Sequence, residues 1–364
     1  MSKSTLAIFL GFSFLVLGAV VAIVFARGYQ IDFTKKGLAA TGILVATSDP
    51  DGAEVFINNK LTTATNSTLN LQPGIYNLKI VKDGYSPWEK SLTIKKEEVF
   101  KTNVFLFPKA SDLRPLTTSG ALNPSLSPNR TQIAYAVASA SATANGVWIL
   151  DMAGGPPWVN GDSRQIFRDT PYLNLSNSIS FLWTNDGKQV IASLSGNLYY
   201  SLNPNIINEN LIAAANITQT IKPFPKTLAL LASSAANLKF SPDETKVLYT
   251  ATSSATLSLV LNSYLPGTNP TPEIRKLEPG KTYVYDLKED RNYLVENSVW
   301  LSTSRHLLGH TDKEITVSEY DGTNKVTIYS GPFINGFVFP WPNTSRIVIL
   351  TSLNSLSGGE NLYT

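Results

Sequence analysis

The sequence predicts an all-β protein that carries one helix at its N-terminus. Three observations lead to this fold class: a turn phrase that recurs five times, about six short strand patterns in residues 42–108, and one long uncharged stretch at the start. The recurring phrase is an apolar run, a Ser-Pro-Asn/Asp-like turn and a second apolar run, with turns that open at residues 127, 184, 241, 301 and 341. Spacings of 57, 57, 60 and 40 residues indicate a closed or stacked array of similar units.

Composition limits the class of function. A chain of 364 residues has room for two or three domains. The net charge is +3 and 16% of the residues are charged, so the sequence offers no basic field that could hold a nucleic-acid backbone. The absence of cysteine excludes disulfides and thiolate metal sites, although it does not fix the compartment.

The N-terminal stretch from Thr5 to Ala26 contains 22 residues without a charge. As a helix it would be about 33 Å long, enough to cross a hydrocarbon core. We therefore predict a transmembrane anchor in residues 1–27 and a stalk in residues 28–41. A cleaved signal peptide ending at Ala26 and a buried soluble helix are the alternatives.

The flanking charges slightly favour a cytoplasmic C-terminus. Long domains translocate largely regardless of these charges, so we expect a single-pass cell-membrane protein whose bulk is extracytoplasmic.

Residues 42–108 show short alternating runs separated by turns. Tyr76, Leu78 and Ile80 fall on one face of an extended segment and Lys79 falls on the other, which is the period of a half-buried strand. About six such strands predict a small antiparallel β-sandwich.

Three motifs in this region resemble the PEGA domain family. Pro50-Asp51-Gly52-Ala53 matches the namesake motif with Asp in place of Glu, and Leu71–Tyr76 and Lys82–Tyr85 follow in the family's order. The residues that carry the resemblance are Pro50, Asp51, Gly52, Ala53, Pro73, Gly74, Tyr76, Gly84 and Tyr85. We interpret them as turn residues: the three glycines can adopt positive φ, and the two prolines stiffen the approaches. The family's association with bacterial and archaeal surface proteins implies an extracytoplasmic position.

The repeats in residues 112–364 resemble blades of TolB-like, or WD40-like, β-propellers. The turns at Ser127, Thr184 and Ser241 are followed by third-strand patterns such as Gly146–Met152 and Lys281–Leu287. We predict about five blades. The chain ends in a strand pattern without a successor, and residues 112–118 form a strand pattern without a blade, so we expect the two to pair and close a ring.

Neither a catalytic, a cofactor nor a metal site is predicted. His306 and His310 would stand about 13 Å apart in a strand, too far for one zinc ion. The predicted inner strands contain no Asp or Glu, which argues against the carboxylate pair of a propeller glycosidase. Trp158, in the Gly154–Trp158 loop, is the one candidate ligand contact.

Together these features predict a non-catalytic, membrane-anchored cell-envelope protein that binds or scaffolds a protein, peptide or glycan partner through its propeller. It needs no cofactor and binds no nucleic acid, and its oligomeric state is left open. A propeller-type carbohydrate-active enzyme and a self-assembling surface protein are the alternatives.

Overall fold

The structure is a computed structural model. It describes the following residues: 3–26, 29–32, 37–109, 113–138, 141, 143–153, 161–169, 179–194, 198–210, 212–214, 233–261, 265–343, 346–353 and 359–364. Two compact units are present, one comprising Met1–Lys109 and Leu261–Pro272 and the other comprising Ala110–Val260 and Glu273–Thr364.

The N-terminal region contains helix α1 (Lys3–Ala26) and an antiparallel hairpin of β1 (Tyr29–Asp32) and β2 (Gly37–Ala40). The hairpin lies within the predicted stalk. Among the described residues, no helix has both the length and the apolar content that crossing a membrane requires. The predictions of a transmembrane anchor and of a single-pass membrane protein are therefore wrong.

Seven strands of the first unit form two sheets. The strands are β3 (Gly42–Asp49), β4 (Glu54–Ile57), β5 (Lys60–Ala64), β6 (Ser67–Leu71), β7 (Gly74–Val81), β8 (Trp88–Ile94) and β9 (Val99–Phe105). One sheet has the order β6-β3-β9 and the other has the order β5-β4-β7-β8. Side chains of both sheets, including Leu44, Leu78, Leu92 and Val104, form one buried core.

The sandwich is not purely antiparallel, because β3 and β9 run parallel from Ile43↔Val99 to Asp49↔Phe105. Strand β8 belongs to the other sheet, so the chain changes sheets before β9. A connection between two sheets does not force the next strand to run antiparallel to its neighbour, as a tight hairpin does. The sequence pattern located the strands but could not show their direction.

Twenty-one strands of the second unit follow. They are β10 (Leu122–Leu126), β11 (Gln132–Val137), β12 (Gly146–Asp151), β13 (Asp162–Arg168), β14 (Ser180–Trp183), β15 (Val190–Leu194), β16 (Leu198–Leu202), β17 (Ile212–Ala213), β18 (Ala235–Phe240), β19 (Lys246–Ala251), β20 (Ala255–Thr256), β21 (Lys276–Leu277), β22 (Thr282–Asp286), β23 (Arg291–Val295), β24 (Ser298–Trp300), β25 (His306–His310), β26 (Glu314–Glu319), β27 (Val326–Ser330), β28 (Val338–Pro340), β29 (Ile347–Thr351) and β30 (Asn361–Tyr363).

These strands form five successive antiparallel sheets. We number them one (β10-β11-β12-β13), two (β14-β15-β16-β17), three (β18-β19-β22-β23), four (β24-β25-β26-β27) and five (β28-β29-β30). Strands β20 and β21 pair with each other in a separate two-stranded sheet, in the connection from β19 to β22.

One backbone hydrogen bond closes the connection between the first two strands in all five sheets. In each case a backbone N–H donates to the carbonyl oxygen five residues later, at 2.8–3.0 Å. The pairs are Ser127–Gln132, Thr184–Gln189, Ser241–Lys246, Leu301–His306 and Trp341–Arg346. The predicted register of the five repeats is therefore confirmed.

Buried side chains join neighbouring sheets face to face. Sheet one packs against sheet two through Ala134, Ala136 and Phe181, and its opposite face packs against sheet five through Tyr135 and Val348. Sheets three and four share a third cluster of buried side chains. The alternation along β11 explains the two contacts, since successive residues of a strand point to opposite faces.

Sheet five is completed by the segment that precedes sheet one. Arg114 and Thr364 exchange both backbone hydrogen bonds, at 2.8 and 2.9 Å, and Leu116 N donates to Leu362 O at 2.8 Å. The Asn361 side chain lies inside this seam and accepts a hydrogen bond from Thr117 Oγ1 at 3.1 Å. The predicted seam is thus observed over residues 114–117, while Asp112 lies outside the described residues.

Candidate functional site at the axial turns

Side-chain hydroxyls stabilise three of the five turns. Ser127, Thr184 and Ser241 each donate a hydrogen bond to the side-chain oxygen two residues later, at 2.6–2.7 Å. The acceptors are Asn129, Asp186 and Asp243. Each hydroxyl also accepts the backbone N–H five residues later at 3.0 Å, so both of its hydrogen-bonding roles are used.

The two turn aspartates are held as carboxylates. Burial raises the pKa of Asp243, but hydrogen bonds from Ser241 and Thr245 outweigh it and leave the pKa below its ordinary value. The pKa of Asp186 is lowered by the hydrogen bond from Thr184 and by the Lys188 backbone N–H. Both carboxylates therefore serve their own turns, which leaves them poorly placed to transfer a proton to a ligand.

The turns of different sheets meet. Asp243 N donates to Ser304 Oγ at 2.9 Å, which joins the turns of sheets three and four. Arg130 Nη1, in the turn of sheet one, donates to Trp300 O of sheet four at 3.0 Å. Because both faces of sheet one are covered by sheets two and five, the bond from Arg130 passes across the centre of the array. We call this end of the array the axial turns: residues 127–130, 184–187, 241–244, 301–304, 341–343 and 346.

Two indole groups repeat one contact beside the axial turns. Trp183 Nε1 donates to Ser125 O at 3.1 Å, and Trp300 Nε1 donates to Lys239 O at 2.9 Å. In both pairs the tryptophan ends the first strand of one sheet and the acceptor lies in the first strand of the preceding sheet. Trp183 and Trp300 therefore hold neighbouring sheets together, as expected for buried tryptophans in a core.

Arg130 differs from the other charged groups near this end. Its guanidinium is half-buried, and burial lowers its pKa from the ordinary value. Among the described residues no carboxylate lies within ion-pair distance of it. The backbone of Arg130 is left-handed, with φ 62°.

The family-motif residues of the first unit lie in turns, in short connections and in β7. Gly52 and Gly84 have φ values of +65° and +77°, as predicted. Gly74 has no positive φ: it opens β7, and a Cβ there would meet the Tyr76 ring at 3.5 Å. The prediction of positive φ at Gly74 is therefore wrong, because a strand start does not require left-handed backbone.

Most hydrogen bonds around these motifs are internal to the sandwich. Ala53 is fully buried, and its N–H donates to Thr65 Oγ1 at 2.9 Å. Lys82 Nζ donates to Asp51 O at 2.7 Å, which ties the first motif to the third. Tyr85 pairs with Pro108 in an isolated bridge. These contacts give the motif residues a structural role.

Comparison with known proteins agrees with this arrangement. The family model "PEGA domain" matches residues 41–109. Residues 41–109 are a PEGA domain. No curated protein sequence matches the chain.

Solved structures that are similar to the chain include the following two. One is TolB from Acinetobacter baumannii, with 14% identity, coverage of 79% of this chain and 59% of that chain, and a TM-score of 0.24. The other is a chain of the Mitotic Checkpoint Complex, with 11% identity, coverage of 71% and 95%, and a TM-score of 0.36. The chain therefore spans less than two thirds of the TolB chain. TM-scores this low carry no argument about the fold. The likeness to a propeller is therefore based on the five sheets and the seam of the chain itself.

The two histidines singled out in the sequence have different surroundings. His306 and His310 are the two ends of strand β25, as predicted: His306 is buried and its Nδ1 lies 2.9 Å from Thr303 Oγ1, whereas His310 is exposed and contacts the Phe333 ring edge-on. Trp158 lies outside the described residues.

Sequence reasoning missed Arg130. A signal was present, since a bulky cation stands at the fourth turn position, where the second repeat has Gly187. Both residues adopt left-handed backbone, which a side chain rarely favours. The partner, Trp300, is 170 residues away and could not be identified from the repeat alone.

A cavity of about 760 Å³ lies on the outer side of sheet one, between β13 and residues 205–209. Arg164 is held there by Pro204 O at 3.0 Å and by Asp151 at 3.5 Å. The amide of Asn208 is likewise bonded to Ile166 O at 3.0 Å. These polar groups satisfy one another, so the cavity offers less to a charged ligand than the axial turns do.

Proposed function

We propose that this chain is a non-catalytic binding protein whose five sheets form a five-bladed propeller over residues 112–364 and present the axial turns to a protein partner. The observation that carries this proposal is the convergence of turns from several sheets, with Arg130 crossing between sheets one and four. Such a surface is rigid, because each turn is closed by a backbone hydrogen bond and three of the five are also held by a side-chain hydroxyl. A rigid surface loses little conformational entropy when a partner binds.

The chemistry of the turns supports binding over catalysis. Asp186 and Asp243 are engaged by their own turns, and strands β10, β14, β18, β24 and β28 carry no Asp or Glu. General acid–base catalysis needs a titratable group whose proton can reach the substrate. The described part of the axial turns therefore supplies hydrogen-bonding groups and two cations, Arg130 and Arg346, which suit recognition.

The PEGA domain contributes a second folded module over residues 42–108. Its motif residues are occupied in turns and in bonds to one another, as the contact of Lys82 with Asp51 illustrates. We propose that it acts as a spacer or a separate contact module, and that the axial turns of the propeller select the partner.

Site-specific photo-crosslinking tests this proposal. A photoreactive amino acid at Lys188, an exposed residue directly after the second axial turn, should capture one protein in the cells that produce the chain. The matched control is Lys313, an exposed residue in the β25–β26 connection. Strand β25 separates Lys313 from the axial turns by about 16 Å at roughly 3.3 Å per residue.

Reproducible capture of one protein from position 188 and not from position 313 is the expected result. Equal capture from both positions, or capture from 313 alone, would show that the axial turns are not the binding surface.

A further inference from the structure

We propose that Arg130 binds a carboxylate group of the protein partner at the axial turns. This inference rests on the proposed function and adds the chemistry of the partner. It comes from three features of Arg130: the hydrogen bonds that it leaves unused, its lack of a counter-charge, and its position.

Arg130 has unused donors. A guanidinium carries five N–H groups in a planar fork. One N–H on Nη1 donates to Trp300 O, and the described residues supply no further acceptor. The bond to Trp300 fixes the side chain across the centre, so the remaining donors are held in place before a ligand arrives. Preorganised donors of this kind bind an acceptor with less entropy loss than a free side chain.

Arg130 also lacks a counter-charge. Removing a charged group from water disfavours it unless an opposite charge or further hydrogen bonds compensate. The acids of the described axial turns do not compensate. Asp186 and Asp243 accept hydrogen bonds from their own turns, and neither carboxylate, nor that of Glu244, lies within ion-pair distance of Arg130. A carboxylate from outside the chain would supply both the charge and the acceptors.

The shape of the donor selects the ligand. Two parallel N–H groups of arginine match the two oxygens of a carboxylate, and such bidentate pairs are stronger and more directional than single bonds. A protein partner offers this group on Asp and Glu side chains and at its C-terminus. The axial position adds selectivity, since a ligand must reach the centre of the array to contact Arg130.

Peptide selection tests the inference. The full chain is immobilised and screened against two random peptide libraries, one joined to its carrier through the C-terminus and one with free C-termini. Binders from the first library can present only side-chain carboxylates, whereas binders from the second can also present a terminal one. Affinities are then measured for the wild type and for the variants R130Q, R130K and K188Q.

We expect the selected peptides to carry a carboxylate and to lose about tenfold in affinity on R130Q, as a charge-assisted bond of this kind implies. R130K keeps the charge without the fork and should lose less. K188Q removes an exposed axial cation and should stay within about twofold, because a screened surface charge contributes little. Affinity for the wild type should fall below about pH 4, where carboxylates take up a proton.

Melting curves show whether R130Q is folded. If it is not, the affinity of the peptides for R130K, which keeps the charge without the fork, tests the inference instead. Peptides that crosslink to position 188 but lack a carboxylate, or that bind R130Q as tightly as the wild type, would overturn the inference and leave the proposed function standing. Libraries that yield no peptide at the axial turns would count against both.

Discussion

Replacing Leu362 by alanine tests whether the two ends of the second unit hold it closed. Leu362 lies in β30, is 0% exposed, and packs in the cluster that joins sheet one to sheet five. Its carbonyl accepts the N–H of Leu116 and its own N–H donates to Thr117 Oγ1 at 2.9 Å. The substitution leaves these backbone bonds possible and removes only the buried side chain.

The expected cost follows from that burial. A fully buried leucine truncated to alanine loses roughly 3 kcal/mol, from lost transfer free energy and from the cavity left behind. In a unit of this size, such a loss lowers the melting temperature by about 6–12 °C. Deleting residues 361–364 should cost more, because Arg114 and Leu116 would also lose their backbone partners.

Thermal and urea unfolding followed by tryptophan fluorescence measure the effect. The matched control is Leu182→Ala, since Leu182 is 43% exposed and its truncation should cost under about 0.5 kcal/mol. If L362A and L182A melt within about 1 °C of each other, the seam does not stabilise the unit and the closed arrangement is refuted.

Three further predictions concern the turns and the sheet contacts. Trp183→Phe removes the indole donor to Ser125 O and should cost about 1 kcal/mol in urea unfolding, beyond the small loss of ring area. Asp243→Asn should destabilise the chain at neutral pH, because the folded pKa of Asp243 is depressed below 3.8. The stability advantage of the wild type is therefore present above that pH and disappears as the pH falls through the folded pKa. Stability curves from pH 7 to pH 2 would record this loss. Gly52→Ala should cost about 1–2 kcal/mol because of its φ of +65°, whereas Gly74→Ala, without a positive φ, should be close to neutral, with Trp88 fluorescence reporting on the first unit.

Each of these has an outcome that contradicts it. Unchanged stability of W183F would mean that the indole bond contributes nothing to sheet packing. A constant difference between wild type and D243N across the acid range would separate the turn from the ionisation of Asp243. Equal losses for G52A and G74A would remove backbone conformation as the explanation.

Much of the fold could be predicted from local patterns. The turns at Ser127, Thr184 and Ser241 form bonds that span two to five residues, so the residues responsible stand together in the sequence. The same holds for Gly52 and Gly84, whose turns need left-handed backbone. At Gly74 we predicted the positive φ that glycine allows, but this residue starts a strand, which does not require left-handed backbone, and the prediction was wrong.

The candidate site was less predictable. Its defining bond joins Arg130 to Trp300. Arg130 stands where the second repeat has glycine, but nothing in either repeat pairs two residues that are 170 positions apart. The prediction of a membrane-spanning anchor was also wrong. It inferred the location of the whole chain from one uncharged stretch, and no described helix has the length and apolar content that crossing a membrane requires.

The sequence alone determined the number and register of the repeated turns, the position of the PEGA motifs and the seam between residues 114–117 and the C-terminal strand. The turns and the motifs depend on short-range hydrogen bonding and on strand alternation, which adjacent residues specify. The seam joins segments that are far apart in the sequence, and it was predictable because each end of the repeat region carries a strand pattern without a neighbour. Only the tertiary structure decided that β3 and β9 run parallel and that Arg130 reaches across the centre to Trp300. Both features depend on how segments that are distant in the sequence pack together. A local sequence pattern specifies neither the direction of a strand relative to its neighbour nor the distant residue that a side chain contacts.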